Sequence, residues 1–157
     1  MKKNLFVCSL LVCAATMWGQ AAFAADNWVG TWKLNAGKSS FGSASLNRTE
    51  TLKFEDTAAG IKLTSAGTDP QGKAMQGEYT SKFDGKDVAW TGNPYADMAC
   101  PKRLDDNSYE NVWKKSAKAT MTAKVVVSAD GKSLTVTQTP SGATDKNAAS
   151  VAVYDRQ

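Results

Sequence analysis

Side chains able to carry out acid–base or metal chemistry are few in this sequence. The chain has no histidine, which is the commonest general base near neutral pH and the commonest metal ligand. Two carboxylate clusters, Asp105–Asp106 and Asp84 with Asp87, have the residue types of an acid–base pair or a calcium site. Each lies at a turn predicted from the sequence, where Asp favours the local backbone geometry, so we interpret both as structural. These features predict a non-enzymatic protein without a metal site or cofactor.

Aromatic side chains are the remaining resource for binding. Four of them share strand faces that residue alternation directs inward, namely Tyr79, Trp90, Tyr109 and Trp113. A small barrel can be filled by such side chains, which its size favours, or can leave them lining a cavity for an apolar ligand. Buried hydroxyl and indole groups require hydrogen-bond partners, and this requirement favours an interior that holds water or a ligand.

A pair of basic residues, Lys102 and Arg103, is the best candidate for binding an anion. Adjacent residues of a strand face opposite sides, so at most one of the two side chains points inward. Arg103 has the donors to bind a carboxylate or phosphate ligand. It could equally cover the end of the fold and stack on an aromatic ring, and we favour this structural role. Asn111 and Lys115, on the face of Tyr109, are weaker candidates.

The elements that must position these side chains are short β-strands. Segments of alternating polar and apolar residues, rich in Thr, Val, Trp and Tyr, are separated by Gly, Asp, Asn and Pro at intervals of about ten residues. The pattern indicates an all-β sandwich or barrel with antiparallel neighbours. Ten strands are predicted, at 28–35, 48–57, 61–68, 75–83, 87–91, 99–104, 109–115, 120–128, 133–139 and 150–155.

Turn residues support these boundaries. The dipeptides Asp84–Gly85 and Asp130–Gly131 are typical of tight hairpins, because both residue types tolerate positive φ. The segment 36–46 is rich in Gly, Ser and Ala and has no sustained helical period. We predict a long loop there, with at most one helical turn.

The N-terminal 24 residues have the pattern of a secretory signal peptide. Lys2 and Lys3 supply the positive end, residues 5–16 the apolar run, and Ala22–Ala24 a small-x-small cleavage site. The run is too short for a membrane anchor, which requires roughly 18 or more apolar residues. We expect cleavage after Ala24, a periplasmic or secreted bacterial protein, and no integral membrane segment after cleavage.

Removing the first 24 of the 157 residues leaves 133, the size of a single domain at 25–157. The mature chain has 17 basic and 15 acidic residues, a net charge of +2, with the basic residues scattered. This balance argues against nucleic acid as a partner. Cys100 alone survives maturation, so no intrachain disulfide is expected, and we interpret it as a small buried residue rather than a reactive thiol.

Motifs at both ends of the mature chain resemble the calycin superfamily. The first predicted strand holds Gly30-x-Trp32, and the last holds Val153-Tyr154-Asp155-Arg156. In lipocalins and fatty-acid-binding proteins, Gly-x-Trp opens the first strand and its Trp closes the barrel floor against the last strand. The resemblance assigns that barrel-closing role to Gly30 and Trp32, with Tyr154 near the closure.

The chain also resembles a widespread group of uncharacterised exported bacterial proteins over nearly its whole mature length. The shared pattern includes Gly-Thr-Trp-Lys-Leu-Asn at 30–35, Lys-Ser-x-Phe at 38–41 and Thr-Gly-Asn-Pro at 91–94. It implies a lipocalin-like, antiparallel up-and-down β-barrel of about 8–10 strands. Fatty-acid carriage is not implied, because Ala152 stands where fatty-acid-binding proteins place a carboxylate-binding Arg.

Two functions are consistent with these features. The leading hypothesis is an exported binding protein for a small, partly apolar ligand, with Tyr79, Trp90, Tyr109, Trp113 and Arg103 as candidate contacts. The alternative is a protein-interaction module with a solid core, which would bind a protein partner through exposed strands or through loops 36–46 and 93–101. An enzyme ranks third.

Overall fold

A computed structural model describes residues 26–40, 49–69, 71–145 and 148–157. The predicted signal peptide lies outside the described residues, as does Phe41 of the Lys-Ser-x-Phe motif.

Ten strands are present in this part of the chain, one for each predicted strand, and the all-β prediction is confirmed. Their bounds are β1 Gly30–Leu34, β2 Thr49–Thr57, β3 Gly60–Thr68, β4 Ala74–Ser81, β5 Val88–Ala89, β6 Met98–Asp105, β7 Ser108–Lys115, β8 Lys118–Val127, β9 Ser133–Pro140 and β10 Ser150–Arg156.

Alternation of residue type determines which face of each strand is buried. In β8, Met121, Ala123 and Val125 are buried, whereas the alternate residues Lys124 and Val126 are exposed. Side chains of a strand point alternately to its two faces, so one face of β8 lies inside and the other meets solvent. The same pattern in the neighbouring strands produces a continuous apolar interior.

The strands form an up-and-down barrel. Each strand pairs antiparallel with its neighbours in sequence from β1 to β4 and from β5 to β10, and β1 pairs with β10. The remaining junction, between β4 and β5, is bridged at Glu78 and Thr91, whose backbones exchange hydrogen bonds of 2.9 and 3.0 Å. The barrel is therefore nearly closed, and this junction is its seam.

One predicted hairpin is wrong. Asp130–Gly131 does turn the chain between β8 and β9, with Gly131 at φ 68°. Asp84–Gly85, in contrast, lies alongside β6, where the Gly85 N–H donates to the Pro101 carbonyl at 2.9 Å. Phe83 adopts φ 56° just before this dipeptide, and its ring is buried in the core. Burial of Phe83 and pairing with β6 therefore determine the path of this segment.

The two ends of the barrel differ. At the closed end, defined by Trp28, rings fill the interior: Trp28 lies 5.4 Å from Tyr109 and 5.8 Å from Phe83 between centroids. At the open end, defined by Glu50, Gly67 and Met75, the interior retains a cavity.

The predicted loop after β1 begins with a single 3-10 turn, Ala36–Lys38, capped by the Asn35 side chain. The rest of that loop lies outside the described residues. No helix in the described ranges is long and apolar enough to cross a membrane.

Candidate ligand-binding site

The cavity at the open end is the candidate site. Its volume is about 50 Å³. One buried water requires roughly 10–15 Å³, so the space is larger than a single water site. Its walls come from inward-facing residues of β2, β3, β4, β7, β8, β9 and β10 and from the loop after Trp90.

The four aromatic residues predicted from the sequence all line this cavity. Tyr79 meets Trp90 edge-on at 5.2 Å between centroids, and Trp90 meets Trp113 edge-on at 5.0 Å. Edge-to-face pairs of this kind are stable and hold their rings in fixed positions. Tyr109 lies between the ring cluster of the closed end and the cavity. The interior is therefore filled at one end and open at the other.

A buried polar network joins one side of the wall. Asn111 is only 3% exposed, and its side-chain oxygen accepts from the Cys100 N–H at 3.0 Å. The residue opposite Asn111 on β6 is Pro101, which has no N–H to donate. The Asn111 amide in turn donates to the Tyr79 hydroxyl at 3.4 Å.

Tyr154 and Glu50 add a second polar pair that sequence reasoning did not assign to the site. The Tyr154 hydroxyl donates a short hydrogen bond to the Glu50 carboxylate, and both residues line the cavity. A signal was present, because Glu50 shares its strand face with Leu52 and Phe54. An acidic residue in the inward register at a strand end indicates a cavity mouth.

The hydroxyls of Tyr79, Tyr109 and Tyr154 are held in the protonated form. Burial is the main cause, and it raises the pKa of each phenol well above its usual value. The negative charge of Glu50 raises the pKa of Tyr154 further. At neutral pH these groups are therefore neutral hydrogen-bonding groups.

Two donors in the wall are left without protein partners. The indole nitrogens of Trp90 and Trp113 are buried, and neither has a hydrogen-bond partner within the described ranges. Buried polar groups are paired in most native proteins, and an unpaired one is destabilising. Both rings border the cavity, but their nitrogens have almost no accessible surface, so the N–H groups are covered by protein atoms rather than exposed to the cavity.

The charge of the wall is one-sided. Of the described residues that line the cavity, Glu50 is the one carboxylate, and none is lysine or arginine. A buried anion without a cationic partner is strongly destabilised. Among the described residues, the wall therefore offers no cationic side chain to an anionic ligand.

Arg103 does not join the site. Its guanidinium lies 5.1 Å from the ring centroid of Trp28 and forms a short ion pair with Asp26, both at the closed end. Arg103 therefore covers that end and stacks on a ring, which is the structural role favoured above. Lys102 and Lys115 are exposed and also lie away from the cavity wall.

The predicted barrel-closing residues lie where β1 meets β10. Trp32 is fully buried, pairs with Arg156 across the two strands, and donates from its indole nitrogen to the Trp28 carbonyl at 2.8 Å. The Arg156 guanidinium lies 4.1 Å from the Trp32 ring centroid and passes close to Gly30, where a Cβ would be 2.7 Å from it. Tyr154 faces inward, so it contributes to the cavity as well as to the closing strand.

The carboxylate clusters have structural partners. Asp105 accepts from the Asn107 N–H at 2.8 Å and from the Ser108 hydroxyl at 2.7 Å, and these bonds lower its pKa. Asp87 receives the Lys114 ammonium at 2.8 Å, which lowers the pKa of that carboxyl. Cys100 is half-buried on the outer side of β6 and donates to the Gly85 carbonyl at 3.0 Å.

Comparisons with known proteins concern the architecture of the chain and give no information about its function. No protein-family model matches the chain, and no curated protein matches it. Among solved structures, a de novo designed fluorescence-activating β-barrel is similar, with 13% sequence identity over 85% of this chain and 96% of the designed chain, at a TM-score of 0.46. The class of this protein, a nearly closed up-and-down β-barrel with a cavity at one end, is defined by its own strand pairing.

Proposed function

We propose that this protein is a non-enzymatic binding protein that holds a small, partly apolar molecule in the open end of its barrel. The observation that carries the proposal is the cavity itself, whose wall includes the aromatic side chains of Tyr79, Trp90, Tyr109 and Trp113. A solid barrel of the kind that a protein-interaction module would use has no need of such a space. Binding sites for small molecules are typically concave, mostly apolar and equipped with a few polar groups.

We also propose that the protein acts outside the cytoplasm, since residues 1–24 have the pattern of a cleavable signal. N-terminal sequencing of the protein recovered from the periplasm or medium of its host should begin at Ala25. Recovery of the intact chain from the cytoplasm would contradict this location.

The binding function is tested by native mass spectrometry of the mature protein purified from its own host. Mild conditions should show a discrete mass above that of the polypeptide, and organic extraction should remove it. A protein of bare polypeptide mass under mild conditions would contradict the proposal.

A cavity-filling variant gives the matched control. Ala123 lines the cavity on β8 and is 2% exposed, so Ala123→Phe should occupy the ligand space and abolish the extractable mass. Ala99 is also fully buried but does not line the cavity, and Ala99→Phe must overpack the core at a cost of about 1–3 kcal/mol or more. Urea unfolding should therefore show Ala99→Phe as the less stable variant. Equal destabilisation of both would mean that the cavity does not accept a ring.

A further inference from the structure

We propose that the export signal is cleaved only while residues 26–29 are detached from the barrel. We call these four residues the N-terminal turn. The inference rests on the proposed cleavage after Ala24, and it adds an order of events in which cleavage comes first and closure of the barrel end second. It is carried by the contacts of the N-terminal turn and by the length of chain between this turn and the cleavage site.

The N-terminal turn is an integral part of the closed end. The Trp28 side chain is fully buried, and its ring lies 5.4 Å from Tyr109 and 5.8 Å from Phe83 between centroids. The Val29 N–H donates to the Asp26 carbonyl at 2.9 Å, so the backbone here is turned rather than extended. The closed end is therefore complete only when this turn is docked.

Two arginines hold the turn against the barrel. Arg103 forms an ion pair with the Asp26 carboxylate, which is only 8% exposed. Arg156 donates to the carbonyls of Asn27 and Val29, the latter at 2.9 Å. Hydrogen bonds to a charged group are stronger than those between neutral groups, so these contacts fix the position of the turn from its first residue onward.

The predicted cleavage site lies next to this docked turn in the sequence. Cleavage after Ala24 leaves Ala25 alone between the scissile bond and Asp26. A fully extended residue spans at most about 3.6 Å. While the turn is docked, the scissile bond therefore stays within one residue length of the folded barrel.

A protease needs more free chain than this. Endopeptidases bind a substrate as an extended strand, through main-chain hydrogen bonds on both sides of the bond that is cleaved. The second residue after the scissile bond is already Asp26, whose carbonyl and carboxylate are engaged within the folded barrel. Docking of the turn and cleavage of the signal are therefore mutually exclusive.

Cleavage by purified bacterial signal peptidase, on the refolded full-length precursor in detergent micelles, tests the inference. One variant carries ten Gly and Ser residues between Ala25 and Asp26, which have an r.m.s. reach of roughly 17 Å. The matched control carries the same insertion after Gly142, where a Cβ would meet nothing within 4 Å. Near-UV circular dichroism establishes that each precursor is folded before the protease is added.

We expect the insertion before Asp26 to raise the cleavage rate of the folded precursor at least about tenfold, because cleavage otherwise depends on the small population with a detached turn. The insertion after Gly142 should leave the rate unchanged. Equal rates for the unmodified precursor and the variant with the insertion before Asp26, both folded, would overturn the inference.

A soluble version removes any dependence on refolding in micelles. A hydrophilic extension with the recognition site of a site-specific endopeptidase replaces residues 1–25, so that the scissile bond again lies close to Asp26. Trp28→Ala should weaken docking of the turn and raise the cleavage rate. Leu63→Ala removes a buried side chain at the open end, so it should raise the rate less. Equal acceleration by the two substitutions would mean that cleavage follows global unfolding, which contradicts the inference.

Failure of this inference can be distinguished from failure of the proposed location. If signal peptidase cleaves neither the unmodified precursor nor the variant with the insertion before Asp26, the processing site is wrong and both proposals fail. If it cleaves both folded precursors equally fast after Ala24, the location stands and the order of events is wrong.

Discussion

Two glycines line the same cavity, but a methyl group added to each would meet different atoms. At Gly67 on β3, a Cβ would lie 1.9 Å from the carbonyl oxygen of Thr49, which belongs to the backbone of β2. At Gly77 on β4, a Cβ would lie 2.8 Å from the indole nitrogen of Trp90, which belongs to a side chain. We therefore expect Gly67→Ala to be much more destabilising than Gly77→Ala.

The magnitude follows from what must move. Real Cβ contacts essentially never fall below 3.0 Å, so Gly67→Ala must displace the β2 backbone by about 1 Å. Overpacking costs about 1–3 kcal/mol, and weakening one or two ladder hydrogen bonds adds about 1 kcal/mol each, for a total near 3 kcal/mol. In Gly77→Ala the indole can turn, and alanine loses less conformational entropy on folding than glycine, so the net change should be about 1 kcal/mol or less.

Urea unfolding of the mature protein, followed by tryptophan fluorescence, measures both changes. In a thermal melt of a domain of this size, a loss of about 3 kcal/mol in the free energy of unfolding would lower Tm by about 10 °C. Gly72→Ala is the control: a Cβ there meets nothing within 4 Å, and its φ of +79° adds only about 1–2 kcal/mol of left-handed strain. A stability of Gly67→Ala within about 1 kcal/mol of the unsubstituted protein, or a larger loss in Gly77→Ala, would refute the reasoning.

Three further predictions concern other parts of the molecule. Burial raises the pKa of Tyr79, Tyr109 and Tyr154 above the unfolded value of about 10. The stability that these phenols contribute should therefore be fully present below about pH 10 and decrease above it. Each phenol should account for a loss of up to about 1.4 kcal/mol per pH unit. Urea midpoints measured from pH 8 to 11 should show that Tyr109→Phe removes about a third of this pH dependence. An unchanged pH dependence would count against the prediction. Arg156→Lys should lower the free energy of unfolding by about 1–2 kcal/mol, because an ammonium cannot both stack on a ring and keep three carbonyl contacts. Equal urea midpoints would contradict this. Burial, and to a smaller extent the Asp87 carboxylate, raises the pKa of the Cys100 thiol. The thiol should therefore react with a thiol reagent at pH 8 more slowly in the folded protein than in urea, and equal rates would disprove this prediction.

The strands could be predicted because each one carries its own alternation. In β8, a residue's parity alone decides between burial and exposure, as Ala123 and Lys124 show. The inward direction of Tyr79, Trp90, Tyr109 and Trp113 followed from the same rule. Local sequence is sufficient for such features because the period of two is a property of the extended backbone.

Features that depend on distant contacts could not be obtained in this way. The Asp84–Gly85 dipeptide is a local hairpin signal, but the pairing of Gly85 with Pro101 prevails. Whether the interior is filled depends on the summed volume of side chains from many strands, and the answer differs between the two ends. Arg103 has inward parity on β6 but lies at a barrel end, a distinction that parity cannot make.

The seam between β4 and β5 also determines where the native barrel opens most readily. Apart from the two-pair ladder of β5 and β6, the other neighbouring strands share ladders of three or more residue pairs, whereas this junction within the described chain has its backbone bridge at Glu78 and Thr91. Because local opening is easiest where few hydrogen bonds must break, amide protons beside the seam should exchange with solvent through small fluctuations rather than through global unfolding. Gly77 and Trp90 are adjacent to this bridge in the sequence, so each such fluctuation loosens the cavity wall sideways.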